Sequence, residues 1–286
     1  MSTPSDPAPL WADERVQRWL AQADALDRQM APISQLLFQG AALQPGERVL
    51  DVGCGSGPTT RRAATIVGPT GSVIGLDIAR AMLDAAAAEP TEPAAAPIEW
   101  LEADVARWEP AIDPVDAVIS RFGVMFFDDP VRAFGALAAA TRPGGRLCAM
   151  VWDRRDRSPI FQVPFTVVTR VLEGMGLTPE PLAVDAGAFS LHDPDVVAGL
   201  LGGAGWDGVT AEPLAVELRV GGGLAAEEAA DAALWIGPSR ILSEGLDPEQ
   251  HRQVRDALAA ELADHVDASG HVVLGGSVVR ITARRP

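Results

Sequence analysis

The segment VLDVGCGSGPTT, residues 49–60, constrains this chain more than any other stretch of it. A short apolar run from Val49 to Val52 reads as a buried strand and ends in glycines at alternate positions, Gly53, Gly55 and Gly57. Glycine removes side chains where a backbone must turn sharply and let a ligand lie against it. Pro58 follows, and it suits the first turn of a helix because its missing N–H would have no partner there. Strand, glycine turn and helix in this order are the context that nucleotide-type binding requires. A dinucleotide enzyme is expected to place its third glycine three positions after the second. That position is Pro58 here, so the fingerprint is GxGxG.

The alternation continues beyond the turn. Strand candidates fall at 72–77, 98–102, 115–120 and 146–152, and helical stretches at 59–67, 79–88 and 131–140, the last ending at the stop signal RPGG. Strict alternation implies parallel strands joined by right-handed crossovers, with ligands outside the carboxyl ends of the strands. Ahead of the turn, residues 13–42 carry apolar positions at helical spacing, and Pro32 is expected to break or kink them. After Trp152 the pattern changes. A helical signal at 161–172 is followed by a helix capped by Asp193 or Asp195, a strand at 209–220, a polar and Ala-rich helical region at 225–266 and a last strand at 272–282.

Two carboxylates give the turn a chemical meaning. Asp77 ends the second strand, where a carboxylate can accept hydrogen bonds from both ribose hydroxyls of a nucleotide. A nicotinamide dinucleotide would satisfy that equally well. Asp104, at the end of the third strand, can accept from an adenine amino group while the N–H of Val105 meets the ring. Together with the turn they form an adenosine cradle at the ends of three neighbouring strands.

VLDVGCGSG, VIGLDIA, LEADV, DAVISRFGVMFF and RPGGRLCAMVW resemble, in order, the successive motifs of class I S-adenosylmethionine-dependent methyltransferases. The likeness is greatest to the small-molecule branch similar to ubiquinone and menaquinone C-methylases, and it spans roughly residues 30–152. It implies a Rossmann-like, three-layer α/β sandwich with a seven-stranded, mostly parallel sheet of order 3-2-1-4-5-7-6 and a helical lid insertion. It also implies S-adenosylmethionine as cofactor, with Asp51, Gly53 and Gly55 under the methionine part, Asp77 on the ribose, and Asp104 with Val105 on the adenine. Cys54, Gly57, Ile78, Met82 and Ala103 complete the expected contacts, and Ser120 and Arg121 are expected beside the methionine and the pocket entrance. The organisation expected is an N-terminal helical segment and cofactor-binding core over 1–152, a lid over 153–192, a return to the core over 193–220, a helical insertion over 221–270 and a final core strand over 271–286.

The activity expected is methyl transfer to a small, largely apolar organic molecule, at oxygen or carbon, yielding S-adenosylhomocysteine. Because the sulfonium is already activated, such an enzyme must mainly align the reacting atoms and exclude water. Phe122, Met125, Trp152, Phe161 and Phe165 cluster at the expected mouth of the pocket and are candidates to line the acceptor site, with core packing as the alternative. The chain has no tyrosine, which removes one base and one common substrate clamp. His192 is the catalytic candidate among the histidines, against a plain loop or cap role, while His251, His265 and His271 read as surface residues. The run DRRDR, 153–157, reads as a solvated loop. An NAD-dependent oxidoreductase of Rossmann fold, opposed by Pro58 and Asp104, and a non-catalytic S-adenosylmethionine-binding protein stand as alternatives.

A formal net charge of -16 would repel phosphate backbones and anionic membrane surfaces, so neither nucleic acid nor membrane is the expected partner. A small molecule is, and a homodimer is left open. The start MSTPSDPAPL lacks the basic residues and apolar stretch of a secretory signal, which gives a cytoplasmic expectation. Cys54 lies in the glycine-rich turn and Cys148 in a later strand; with one other strand between theirs the spacing is about 10 Å, too far for a disulfide, and no metal site is expected.

Overall fold

The computed structural model describes residues 13–179 and 181–286. Seven strands form one sheet: β1 (Arg48–Val52), β2 (Ser72–Asp77), β3 (Ile98–Glu102), β4 (Val115–Arg121), β5 (Thr141–Trp152), β6 (Asp207–Arg219) and β7 (Val273–Arg284). Their order is β3-β2-β1-β4-β5-β7-β6, as the family resemblance implies. The first five run parallel, and β7 is antiparallel to both β5 and β6. The central strands are near-continuous apolar runs because helices cover the sheet, and Leu50, Ile74, Ile119 and Met150 are fully buried.

The helices are α1 (Asp13–Leu20), α2 (Ala23–Ala41), α3 (Pro58–Val67), α4 (Arg80–Ala88), α5 (Pro130–Ala140), α6 (Pro159–Gly174), α7 (Pro194–Gly203), α8 (Ala226–Leu234), α9 (Gly237–Ser243) and α10 (Pro248–Leu262). An Asp-Pro pair starts α5, α7 and α10: Asp129, Asp193 and Asp247 accept from backbone N–H groups of the first turn, and the proline occupies the first helical position. Asp193, rather than Asp195, is therefore the cap of α7. At their carboxyl ends β5 runs into α6 and β6 into α8–α10, and these four helices pack on one another.

Three sequence expectations are corrected. Pro32 lies inside α2, on a half-buried face where water can satisfy the carbonyl left without its N–H, and the chain breaks instead at Ala21–Gln22. Residues 225–266 are helical as expected, divided into α8, α9 and α10 with Gly237 (φ +69) and Gly245 (φ +83) in left-handed conformations at the breaks. RPGG does not separate α5 from β5. It lies inside β5 as a bulge, so that Thr141 pairs with Val115 and Arg146 with Ala117. The run 153–157 is not simply solvated: Asp153 is buried and accepts from Ser277 Oγ at 2.8 Å, and Arg155 is buried with its guanidinium over the Phe165 ring.

The turns that leave β1 and β4 touch. A Cβ on Gly53 (φ +67) would lie 2.5 Å from Gly123 Cα, and one on Gly123 would lie 2.4 Å from the Val52 carbonyl oxygen. Backbone meets backbone here, so no side chain can move aside. Gly123→Ala is expected to destabilise the protein by about 2–3 kcal/mol, as overpacking against rigid neighbours does, read as a lowered midpoint in urea denaturation with an unchanged slope. A midpoint equal to that of the parent protein would show that the two turns can part without cost.

Candidate active site

β1 carries Asp51 to the reversal point of the sheet, between β2 and β4, where ligands bind in open α/β folds. The carboxylate is fully buried. Its Oδ2 accepts from the hydroxyls of Thr59 and Thr60, each at 2.7 Å, in the first turn of α3. Its Oδ1 is buried with no hydrogen-bond partner. Burial pushes the carboxyl up to about 6, against the pull of the two threonine hydroxyls and the Arg121 charge. A buried carboxylate oxygen without a donor is costly, and its chemistry suits a cationic N–H donor.

The turn after Asp51 is held to β2 and leaves one side open. Gly53 and Cys54 donate their N–H groups to the Leu76 carbonyl at 2.8 and 3.1 Å. Asp77 accepts from the N–H of Gly55 at 2.8 Å and of Ala79 at 2.9 Å, which oppose the upward push that burial gives its carboxyl. Gly55 (φ +54) faces free space, since a Cβ there would meet nothing within 4 Å. Gly57 does not: its Cβ would lie 2.5 Å from the indole of Trp100, which also covers Gly75. Cys54 is buried, and burial drives its thiol far above the usual range, so it is no nucleophile.

Asp104 accepts from the Ala106 N–H at 3.0 Å and pairs with Arg107 at 3.0 Å, beside buried Val105 and half-buried Ala103 and Ile78. Met82 is buried with Ala79 under Val16 of α1, in a small apolar cluster separate from the main core. Helix α1 thus packs on α4, the helix that follows β2.

On the β4 side, Ser120 is committed to structure: its hydroxyl donates to the Val52 carbonyl at 2.8 Å and accepts from the Gly123 N–H at 3.1 Å. Arg121 reaches α2, donating to Asp27 at 2.7 Å and Ser34 at 2.6 Å. Phe122 has φ +70, a conformation that costs a bulky L-residue about 1–2 kcal/mol. Its ring stacks on Trp152 at 4.5 Å and 9°. Trp152 meets Phe161 edge-on at 4.7 Å, and Phe161 meets Phe189 edge-on at 5.4 Å. Met125 is buried and accepts from the Trp152 N–H at its sulfur. Phe165, one turn after Phe161 in α6, lies beneath Arg155. His192 follows Phe189, with Nδ1 2.8 Å from the Phe189 carbonyl oxygen.

Sequence reasoning missed Thr59 and Thr60, Trp100, the α2 pair Asp27 and Ser34, and Val16. Only the threonines carried a signal, since two hydroxyls directly after Pro58 fall in the first helical turn facing the strand they follow. Among the described residues no group of three or more His, Cys, Asp or Glu is placed to hold a metal, and no helix is long and apolar enough to cross a membrane.

An unpartnered buried carboxylate oxygen beside a glycine turn open on one side fits the amino-acid end of S-adenosylmethionine, with its ammonium, and Asp77 and Asp104 at the next two strand ends fit its nucleoside. Residues 49–145 match the family model of a methyltransferase domain. The chain is 30% identical over 259 residues to nocamycin O-methyltransferase of Saccharothrix syringae, covering 88% of this chain and 90% of that protein. It is 37% identical over 131 residues to aklanonic acid methyltransferase of a Streptomyces species, covering 46% of this chain and 56% of that protein. The fold is similar to that of the YcgJ protein of Bacillus subtilis, with a TM-score of 0.52 at 15% identity over 88% of this chain and 97% of that one. The oxidoreductase alternative gives way to these findings: the chain belongs to the class I S-adenosylmethionine-dependent methyltransferases.

Proposed function

We propose that the protein transfers the methyl group of S-adenosylmethionine to an oxygen or carbon of a small, largely apolar organic acceptor, releasing S-adenosylhomocysteine. The observation that carries the placement of the cofactor is the orphaned Oδ1 of Asp51 beside the open face of Gly55. In this reading Asp51 receives the methionine ammonium. Asp77 takes the ribose hydroxyls and Asp104 with Val105 the adenine, walled by Ile78, Met82 and Ala103. Arg121 exchanges part of its hold on Asp27 for the methionine carboxylate. Acceptor methyltransferases among the relatives, named for nocamycin and aklanonic acid, support a small organic substrate.

The cofactor supplies an activated methyl on a sulfonium. The protein's own part is to orient the acceptor against it and to exclude water. The aromatic run from Phe122 to Phe189 forms a dry wall beside the site, and α6 with α8–α10 forms the lid over it. No proton acceptor is assigned, since alignment alone serves a nucleophile that is already deprotonated.

Two sets of measurements test this, the first on the cofactor's nucleoside. S-adenosylhomocysteine is expected to raise the melting temperature of the protein where NAD does not, and Asp77→Ala is expected to weaken S-adenosylhomocysteine by about 10- to 100-fold through lost charge-assisted hydrogen bonds. Stabilisation by NAD alone would overturn the placement of the ribose and adenine.

The second follows from the raised carboxyl of Asp51. A group that holds its proton more tightly when folded stabilises the cofactor-free protein at low pH, and that contribution is lost as pH rises from about 4 through about 6. An ammonium against Oδ1 favours the charged carboxylate, so binding releases a proton at the acid end. S-adenosylhomocysteine affinity is therefore expected to rise about tenfold from pH 5 to pH 7 and then level off. In Asp51→Asn the affinity should be lower and flat over that range when titrated calorimetrically. The same rise in the asparagine variant would assign the proton to another group.

A further inference from the structure

Four aromatic rings stand in contact along the carboxyl ends of β4 and β5, and three of them are closed off: Trp152, Phe161 and Phe189 are 6%, 8% and 6% exposed. Phe122 is only partly buried. It is also the ring held by a strained backbone, at φ +70 and ψ -1, in a position where glycine would sit without penalty. The strain is over-determined. The Phe122 N–H donates to the Met150 carbonyl at 2.9 Å, and Gly123, next in the chain, is fixed against Gly53 and Ser120. A bulky residue kept in such a conformation at the edge of a ligand site points to a use for its side chain.

We propose that Phe122 is the specificity-determining residue for the acceptor. Its inner ring face is stacked on Trp152, and its outer face is the stacking platform for a planar, conjugated acceptor. This rests on the methyltransferase reading above and adds the substrate class. The geometry of the pair supports it. A ring 4.5 Å from Trp152 and 9° from parallel cannot tilt without breaking the stack, so its outer face has a fixed direction. A flat acceptor laid on that face would continue the stack and keep its reacting atom at one height relative to the turn that holds Asp51. A saturated ring of the same carbon skeleton is puckered and thicker, and it would gain the apolar burial without the face-to-face contact. Phe122→Leu keeps the apolar surface and the strained Cβ but removes the face, whereas Phe122→Tyr keeps the face.

The test uses the full chain saturated with S-adenosylhomocysteine and two probes of one skeleton, β-naphthol and its saturated counterpart decahydro-β-naphthol, with affinities read by titration calorimetry. The parent protein is expected to prefer β-naphthol about fivefold or more, the size of an aromatic stacking preference beyond area. Phe122→Leu should bring the two probes to equal affinity with S-adenosylhomocysteine affinity unchanged, and Phe122→Tyr should retain the preference. Equal binding of the probes to the parent protein, a preference that survives Phe122→Leu, or no binding of β-naphthol up to its solubility would each overturn the assignment. Failure of S-adenosylhomocysteine to bind the parent protein would instead sink the methyltransferase reading of the site.

Discussion

The contact between Gly53 and Gly123 is the constraint on which the rest of the site depends. Turns leaving neighbouring parallel strands ordinarily diverge toward their helices, but here two backbones approach so closely that neither position tolerates a Cβ. Ser120 locks the approach by bridging the Val52 carbonyl and the Gly123 N–H. With that junction fixed, the β1 turn is open at Gly55. The β4 exit has only one path, through a left-handed Phe122. The open face at Gly55 and the ring of Phe122 thus flank one joint.

Charge is arranged around the same joint. Asp51 is buried with half of its acceptor capacity met by threonine hydroxyls, and Arg121 attracts it without bonding to it. The arginine is instead drawn to Asp27 and Ser34, which ties α2 to the end of β4. Helix α2 is tied at a second point, where Gln29 accepts from the Gly221 N–H at 2.6 Å at the entry to the helical insertion. One helix therefore joins the end of β4 to the segment that leads into α8.

Most of the fold was legible because its signals are local. A GxGxG turn between an apolar run and a proline, the strand-helix alternation and the Asp-Pro pairs each state their structure within a few residues. Asp77 and Asp104 were legible as strand ends for the same reason. What was not legible depends on partners distant in sequence. Nothing in the chain announces that Trp100 fills the room left by Gly57 and Gly75, or that Asp27 meets Arg121 across the fold. Pro32 misled because the rule against proline in helices concerns one hydrogen bond, and nineteen residues of packed α2 outweigh it. The charged run after Trp152 misled because composition says solvent, whereas β7 brings Ser277 against Asp153 and α6 brings Phe165 under Arg155.

The costly features of the molecule are not scattered. The strained Phe122, the half-satisfied Asp51 and the tight glycine pair lie within one turn of each other at the ends of β1 and β4, while the strands beneath them are continuous and fully buried. A protein whose local rules agree everywhere else can hold a few such violations, because the surrounding core over-determines them. Glycine in place of Phe122 would relieve the backbone strain there, and it would also remove the ring stacked on Trp152. Under the proposed function, the strain at β4 and the unpaired oxygen at β1 would serve as preorganisation, because groups fixed before a ligand arrives need not be ordered when it binds.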